Sequence, residues 1–259
     1  MFETLILRQE GAVLTISLNR PTVYNAFNQL MRRELLKALQ QAEAEPQVRV
    51  VVLTGEGKAF SSGQDLQEVK NQSPDIYRQV LNDGYIPLIR QVRQMSKPVL
   101  CRLNGVAAGA GCSLALACDV IIAGEEASLI QVFVNIALVP DSGSSFFLPR
   151  LVGLQRAFEL AATGRKVSAR EAQQLGLVNE VVPQDQLDEA VQRHVSYYAQ
   201  APTKALGLIK RMLNRSFQSD LESMMHYETW CQEIASRTSD HQEGVQAFLE
   251  KRRPHFQGQ

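Results

Sequence analysis

Lys97–Ala127 reads KPVLCRLNGVAAGAGCSLALACDVIIAGEEA. Two apolar runs, Val99–Leu103 and Val120–Ala123, flank a glycine-rich turn and a small-residue stretch over 109–118. Each run is too short for a helix and ends in a turn signal, Asn104-Gly105 or Ala123-Gly-Glu-Glu126, so each predicts a strand. The stretch between them predicts a helix. Upstream, Val48–Thr54 (VRVVVLT) repeats the theme before Gly55-Glu-Gly57, and such continuous β-branched runs suit strands buried on both faces. Strands alternating with helical patterns at 27–44, 75–95, 109–118 and 169–175 predict an α/β fold with a parallel or mixed sheet. A further strand is expected at Val178–Val182.

The N-terminal residues add a hairpin. Thr4–Arg8 and Val13–Asn19 flank Glu10-Gly11, and Pro21 ends the second strand by removing a ladder donor. Asn25 or Asn28 is placed to cap the first helix, whose apolar stripe is Phe27, Leu30, Leu35, Ala38, Leu39 and Ala42. After Gln200-Ala-Pro202 strand signals stop. Helices are expected at 204–214, 220–237 and 240–251. The chain therefore divides into a core over 1–200 and a helical region over 201–259, which suits packing or oligomerisation.

Composition narrows the function. The chain has 259 residues, 45% hydrophobic and 21% charged, with 27 Lys+Arg against 27 Asp+Glu. That is enough chain for a large buried core and too apolar for disorder. A zero balance argues against nucleic acid as a partner, though one phosphorylated small molecule at a local site remains compatible. The N-terminus lacks a signal-peptide pattern, and no apolar run approaches the ~20 residues that span a bilayer. Cys101, Cys112, Cys118 and Cys231 show no CxxC spacing and read as reduced core thiols of a cytoplasmic protein.

Several chemistries are disfavoured. Gly109-Ala-Gly111 is not a dinucleotide loop, because position 114 is Leu114 and no acidic residue lies about 20 positions on. No GxxxxGK[ST] or GxSxG is present. His194, His226, His241 and His255 lack paired-ligand spacing, so no metal is expected. Ser113, near a helix start, could in principle serve as a nucleophile, but no histidine lies near it in sequence. Three segments exceed what packing requires: Lys58–Leu66 (KAFSSGQDL), Asn104–Ser113 (NGVAAGAGCS) and Asn135–Gly143 (NIALVPDSG). The first two follow core strands and run into helices. Their glycines either make tight turns or let two peptide N–H groups converge on one oxygen, and spacing alone leaves both readings open.

Taken in order, LNRPTVYNAFNQLM, GKAFSSGQDL, the Lys97–Ala127 stretch, LVPDSGSSFFLPRLVG and EGVQAFLEKRRPHF resemble the crotonase superfamily, the enoyl-CoA hydratase/isomerase family, over nearly the whole chain. The resemblance implies a spiral of repeated ββα units, a C-terminal helical trimerisation region, a homotrimer or dimer of trimers, and an acyl-CoA thioester substrate. Coenzyme A enters as part of the substrate, with no separate cofactor, metal, nucleic acid or membrane. By motif the oxyanion donors are the backbone amides of Gln64 and Ala110. The positions of the two hydratase glutamates hold Ser113 and Phe133, neither of which can act as a carboxylate base. Asp141 matches the proton-transfer aspartate of dienoyl-CoA and 1,2-epoxyphenylacetyl-CoA isomerases, and the latter group is the most similar. The Pro140-Asp-Ser-Gly143 sequence is also good turn chemistry.

The resemblance thus implies an isomerase that moves a double bond or rearranges a ring epoxide, with Phe133, Phe146 and Phe147 as candidates for an apolar acyl pocket. It places the CoA moiety along the Leu18–Ala26 turn and the Ser61–Leu66 segment, implicating Ala26, Ser62, Asp65 and Leu66. Lys58, and Phe248 and Lys251 from a neighbouring subunit, are further candidates. The alternatives are a hydratase-like enzyme, a CoA-thioester hydrolase or serine peptidase of related fold using Ser113, and a non-catalytic acyl-CoA-binding subunit.

Overall fold

A computed structural model describes residues 2–259. The chain opens on the expected antiparallel hairpin, β1 (Leu5–Glu10) and β2 (Val13–Leu18), turned through Gly11 at φ +57°. Helix α1 (Gln29–Ala44) follows. Asn28 is its cap and accepts from Met31 N at 2.9 Å. Three ββα units come next. β3 (Val50–Gly55) and β4 (Ala59–Ser61) lead to α2 (Leu66–Val69), α3 (Asp75–Val80) and α4 (Ile86–Gln94). β5 (Val99–Leu103) and β6 (Val106–Ala108) lead to α5 (Ala110–Ala117). β7 (Val120–Gly124) and β8 (Ser128–Ile130) lead to α6 (Ser144–Val152) and α7 (Leu154–Thr163). The core closes with β9 (Lys166–Ser168), α8 (Ala169–Gln174), β10 (Glu180–Val182) and α9 (Leu187–Gln200). Helices α10 (Thr203–Ser216), α11 (Leu221–Ser236) and α12 (Ser239–Leu249) finish the chain.

Each unit contributes one strand to each of two sheets. β3, β5 and β7 run parallel within a six-stranded sheet of order β1-β2-β3-β5-β7-β10. β4, β6 and β8 run parallel within a four-stranded sheet of order β4-β6-β8-β9. Each turn of the chain advances both sheets by one strand, which makes the fold a spiral. The larger sheet is buried on both faces. Val51, Leu53, Val99, Cys101 and Leu103 join the main core, whereas Val50, Val52, Leu100 and Ile122 pack with Leu187, Ala190, Val191 and Val195 of α9. This explains the apolar runs, since nearly every position of β3, β5 and β7 is buried, Arg102 being the polar exception that reaches Asp188 at the surface.

Asparagines hold the units in register. Asn104 Oδ1 accepts from Gly55 N at 3.1 Å and from Thr54 Oγ1 at 3.3 Å, and its Nδ2 donates to Gly57 O at 3.1 Å. One side chain thereby ties the second unit to the turn of the first. Gly105 permits the approach, because a Cβ there would lie 2.1 Å from Lys58 O. Asn25, fully buried at φ +56°, accepts from Arg20 N and donates to Glu56 O and Ala59 O. It therefore braces the same turn instead of capping α1.

The expected helix over 75–95 is interrupted. Leu81–Tyr85 form a π-helical turn in which Ile86 N donates to Leu81 O. Pro87 lies in the first turn of α4, where its missing N–H costs least. Gly84 faces Arg32, and a Cβ on it would lie 2.7 Å from Arg32 Nε. The three-residue strands β4, β6, β8 and β9 carry too few residues to show a period, and α6, α7 and α9 are helices beyond those expected from the sequence. No helix among the described residues is long and apolar enough to cross a membrane. The four cysteines are free and buried, as expected of core thiols.

Helix α10 is tied to the core by Lys210 Nζ on Asp119 Oδ2 (2.6 Å) and Asn214 Nδ2 on Arg93 O (2.9 Å). The C-terminal strap is held at Asp240, which accepts from Gln257 N and Gly258 N. Asn104→Ala should remove the inter-unit staple and leave the buried Gly55 N–H without a partner, at a cost of about 2–3 kcal/mol. Urea unfolding measures it, and a loss under ~0.5 kcal/mol would contradict the role.

Candidate active site

The site is built where β4, β6 and α5 meet. Gly63 adopts φ +94°, and a Cβ there would lie 2.7 Å from Ala108 O and 3.3 Å from Ala110 N. The segment after β4 thus lies directly against the start of α5. Gly111 makes the same kind of contact, since a Cβ there would lie 2.5 Å from Ser61 O. Gly109, at φ +51° and ψ −125°, redirects the chain from β6 into α5. Glycine tolerates that backbone where other residues are strained.

This packing exposes two peptide donors. Phe27 N donates to Gly63 O at 2.7 Å and Asp65 N donates to Phe27 O at 3.0 Å, forming an isolated parallel bridge. Peptide groups alternate in direction along an extended segment, so the Gln64 N–H points away from Phe27. Ala110 is the first residue of α5, and its N–H has no partner within the helix. Neither N–H donates to an acceptor among the described residues. The structure therefore brings together the two amides that the resemblance implicates, with the positive end of the α5 dipole behind one of them.

Ser113 and Phe133, at the two positions singled out by the resemblance, are both buried. Ser113 is fully buried. Its Oγ lies 3.2 Å from Gly109 O, 3.1 Å from Asp141 O and 2.7 Å from Ser144 Oγ. It sutures α5 to the loop before α6 and has no free face for a substrate. Phe133 is buried, with ring atoms 3.9 and 4.0 Å from the Cβ position that Gly109 lacks. It packs against the glycine turn that leads into Ala110.

Asp141 sits at the turn expected from Pro-Asp-Ser-Gly. Its carbonyl accepts from Ser144 N at 3.0 Å, and its Oδ1 accepts from Ser142 Oγ at 2.8 Å. Burial raises its pKa above the ordinary aspartate value, only partly offset by the Ser142 hydroxyl. The carboxyl borders a cavity of about 1050 Å³ whose wall includes Leu81, Ile86, Ile89, Phe146 and Phe147. Of the residues lining it, only Asp141 carries a carboxylate. Arg90, Arg93, Arg211 and Arg215, which no sequence motif marks, lie on the α4 and α10 walls.

The residues implicated in CoA binding lie on and beside the Ser61–Leu66 segment. Asp65 pairs with Arg20 at 2.9 Å and caps α2, accepting from Gln67 N. Ser62 is exposed, its N–H donating to Tyr24 O at 2.9 Å and its Oγ to Val23 O at 3.3 Å. Ala26 is buried beneath this turn, and Leu66 and Lys58 are exposed. Phe248 and Lys251 lie elsewhere, exposed at the end of α12, and neither side chain bonds to the Ser61–Leu66 segment. Among the described residues no cluster of three or more His, Cys, Asp or Glu could hold a metal.

Sequence reasoning missed Arg32, Tyr85 and Glu68, which surround the Gln64 side chain. One signal was available. Arg32 stands three and seven residues before Leu35 and Leu39, and so belongs to the buried stripe of α1.

A spiral of ββα units that leaves one amide free after β4 and another beside it at the start of α5 can hold an oxygen atom as it gains negative charge. The particular family follows from comparison. Residues 8–259 match the family described as enoyl-CoA hydratase/isomerase, and the chain belongs to it. It is 38% identical to the 1,2-epoxyphenylacetyl-CoA isomerase of Escherichia coli, across 100% of both chains. It is 39% identical to a probable enoyl-CoA hydratase of Rhodobacter capsulatus, across 99% of both. The crystal structure of an enoyl-CoA hydratase from Bacillus anthracis superposes with TM-score 0.94 at 37% identity, covering 99% of this chain and 100% of that one.

Because Ser113 Oγ is sealed between α5 and α6, a serine-directed fluorophosphonate should leave the protein unlabelled by mass spectrometry. Ser113→Ala should cost about 1–3 kcal/mol of stability by breaking the suture. Covalent labelling at Ser113 would overturn this picture and restore a hydrolase.

Proposed function

We propose that the protein is an acyl-CoA isomerase in which the Gln64 and Ala110 amides stabilise a thioester enolate and Asp141 carries the proton. The observation that supports this most is the single carboxylate on the cavity wall, with Ser113 and Phe133 at the positions assigned to the hydratase glutamates. Asp141 takes a proton from the carbon next to the thioester and the carbonyl oxygen becomes an enolate oxygen. The same carboxyl returns the proton two carbons further along, so a 3-enoyl-CoA becomes a 2-enoyl-CoA. Nothing is consumed and no water is added. The apolar wall of Leu81, Ile86, Ile89, Phe146 and Phe147 suits such a dry step. Each oxyanion donor would contribute about 2.7–4 kcal/mol to the transition state.

A ring epoxide of an arylacetyl-CoA is a second candidate substrate, favoured by the likeness to the Escherichia coli isomerase. The CoA portion would lie along the Leu18–Ala26 and Ser61–Leu66 segments. Leu213, Phe217, Leu221, Phe248 and Leu249 are largely exposed on α10–α12, which supports assembly into a trimer or a dimer of trimers. In that assembly Phe248 and Lys251 would reach a neighbour's site.

Purified protein should isomerise a 3-enoyl-CoA or the ring epoxide CoA far faster than it hydrates crotonyl-CoA. Asp141→Asn should slow isomerisation by roughly 10²–10⁴-fold. Fast crotonyl-CoA hydration, or full isomerase activity in Asp141→Asn, contradicts the proposal. The pH dependence has a defined sign. Asp141 must be ionised to accept the proton, so kcat/KM should fall with acid at a pH above the ordinary aspartate range. A raised carboxyl pKa also means that the folded state holds this proton more tightly than the unfolded chain. The stability it supports is complete below the unfolded pKa and is lost as pH rises through the folded one. Asp141→Asn should therefore melt higher than the wild type at neutral pH, with the gap closing in acid.

A further inference from the structure

Gln64 is held far more tightly than its proposed role as a backbone donor requires. Its Oε1 accepts from Arg32 Nη1 at 2.8 Å and from Tyr85 OH at 2.9 Å. Its Nε2 donates to Glu68 Oε2 at 2.8 Å and to Asp65 O at 3.1 Å. Both flanking peptides are bonded to Phe27. The side chain's hydrogen-bonding positions are thus filled by α1, the π-helical turn and the Asp65–Glu68 stretch, and the residue's own N–H is left over.

The groups that hold it are themselves built in. Arg32 is 3% exposed, and its Nη1 also reaches Phe27 O (3.2 Å) and Glu68 Oε2 (2.9 Å). Its guanidinium stands 5.3 Å from the Tyr85 ring centroid. Tyr85 is 2% exposed and packs edge-on against Phe27, at 5.9 Å between centroids. Glu68 Oε1 accepts from Gln29 N, which joins α2 to the start of α1. The π-helical turn at Leu81–Tyr85 carries the tyrosine, and Gly84 lies where a side chain would strike Arg32. A buried cation and a buried phenol directed at one neutral amide are expensive to desolvate, and an apolar residue at position 64 would fill the space without them.

We infer that Arg32, Tyr85 and Glu68 form a cradle that acts through the Gln64 side chain to aim the Gln64 N–H at the thioester oxygen. They are positioning residues for the oxyanion hole and touch no substrate. The inference rests on the isomerase reading above and extends it to residues that neither the sequence pattern nor the cavity wall singles out.

The test reads the thioester carbonyl directly. Isotope-edited infrared difference spectra of bound 2-hexenoyl-CoA report its polarisation by the stretch frequency. Wild-type protein should lower that frequency, and Asp141→Asn should lower it equally while losing turnover. Tyr85→Phe and Gln64→Met keep the ring packing and the backbone amide. Each should lose a substantial part of the frequency shift and reduce kcat about 10- to 100-fold, with KM changed less than about threefold. Val92→Ala, a buried change on α4 outside the cradle, should lower Tm but leave the shift intact. A full shift and full kcat in both Tyr85→Phe and Gln64→Met overturn the cradle while leaving the isomerase standing. A wild-type protein with neither a carbonyl shift nor turnover overturns the isomerase reading, and the cradle with it.

Discussion

The peptide N–H groups of Gln64 and Ala110 donate to no acceptor among the described residues, and they flank the close contact that Gly63 makes between β4 and α5. Leaving a donor unpaired near the core opposes folding, so the surrounding structure must over-determine the backbone that carries it. The spiral does this by repetition. Each ββα unit delivers a short second strand whose exit lies beside the next unit's exit, and the glycines at 63, 109 and 111 let those exits touch. A side chain at any of these three positions would separate β4 from α5 or strain the turn between them. The two donors therefore owe their placement to the way successive units stack, with no contribution from a long functional loop.

The same economy governs charge. Ser113 connects the helix that presents Ala110 to the carbonyl of Asp141, so donor and carboxylate share one rigid support. The carboxyl group then meets an apolar wall and a single hydroxyl, Ser142. Nothing cationic bonds to it, and burial dominates its ionisation. An aspartate neutralised by an arginine would be a poorer base, because the pairing lowers its affinity for a proton. The arginines that do line the cavity are engaged elsewhere or turned to the rim. Arg93 contacts Asp119 and Asn214, and Arg215 stacks on Tyr227.

Much of this was legible in the sequence because it rests on local signals. The β-branched runs announced the large sheet, Gly-rich turns marked the unit boundaries, and motif order identified the family with Gln64, Ala110 and Asp141 in place. What was not legible depends on non-local contacts. β4, β6 and β8 are three residues each and exist because a neighbour pairs with them. The break at Leu81–Tyr85 follows from Gly84 meeting Arg32 and from Pro87 lacking an N–H, neither of which disturbs the helical apolar spacing. Asn25 looked like a cap by its position before α1, yet the buried turn at Gly55–Ala59 competes for it and wins with two carbonyl acceptors.

Net charge proved the least informative feature for a reason the fold makes plain. A protein with balanced charge can still bind a polyanionic thioester, since the groups that would act on its reacting end are peptide dipoles and one carboxylate. Peptide dipoles do not enter a charge count, although in a water-poor site they interact with a developing oxyanion far more strongly than they would in solvent. Their effect depends on orientation, because a donor turned away from the oxygen contributes little. That requirement explains why so much bonding converges behind Gln64. Ala110 is oriented by a helix that eight residues and a dipole make rigid, whereas Gln64 sits in an extended segment with no helix behind it. The side-chain bonds of Arg32, Tyr85 and Glu68, with the Phe27 bridge, supply for that segment the stiffness that α5 supplies for its counterpart.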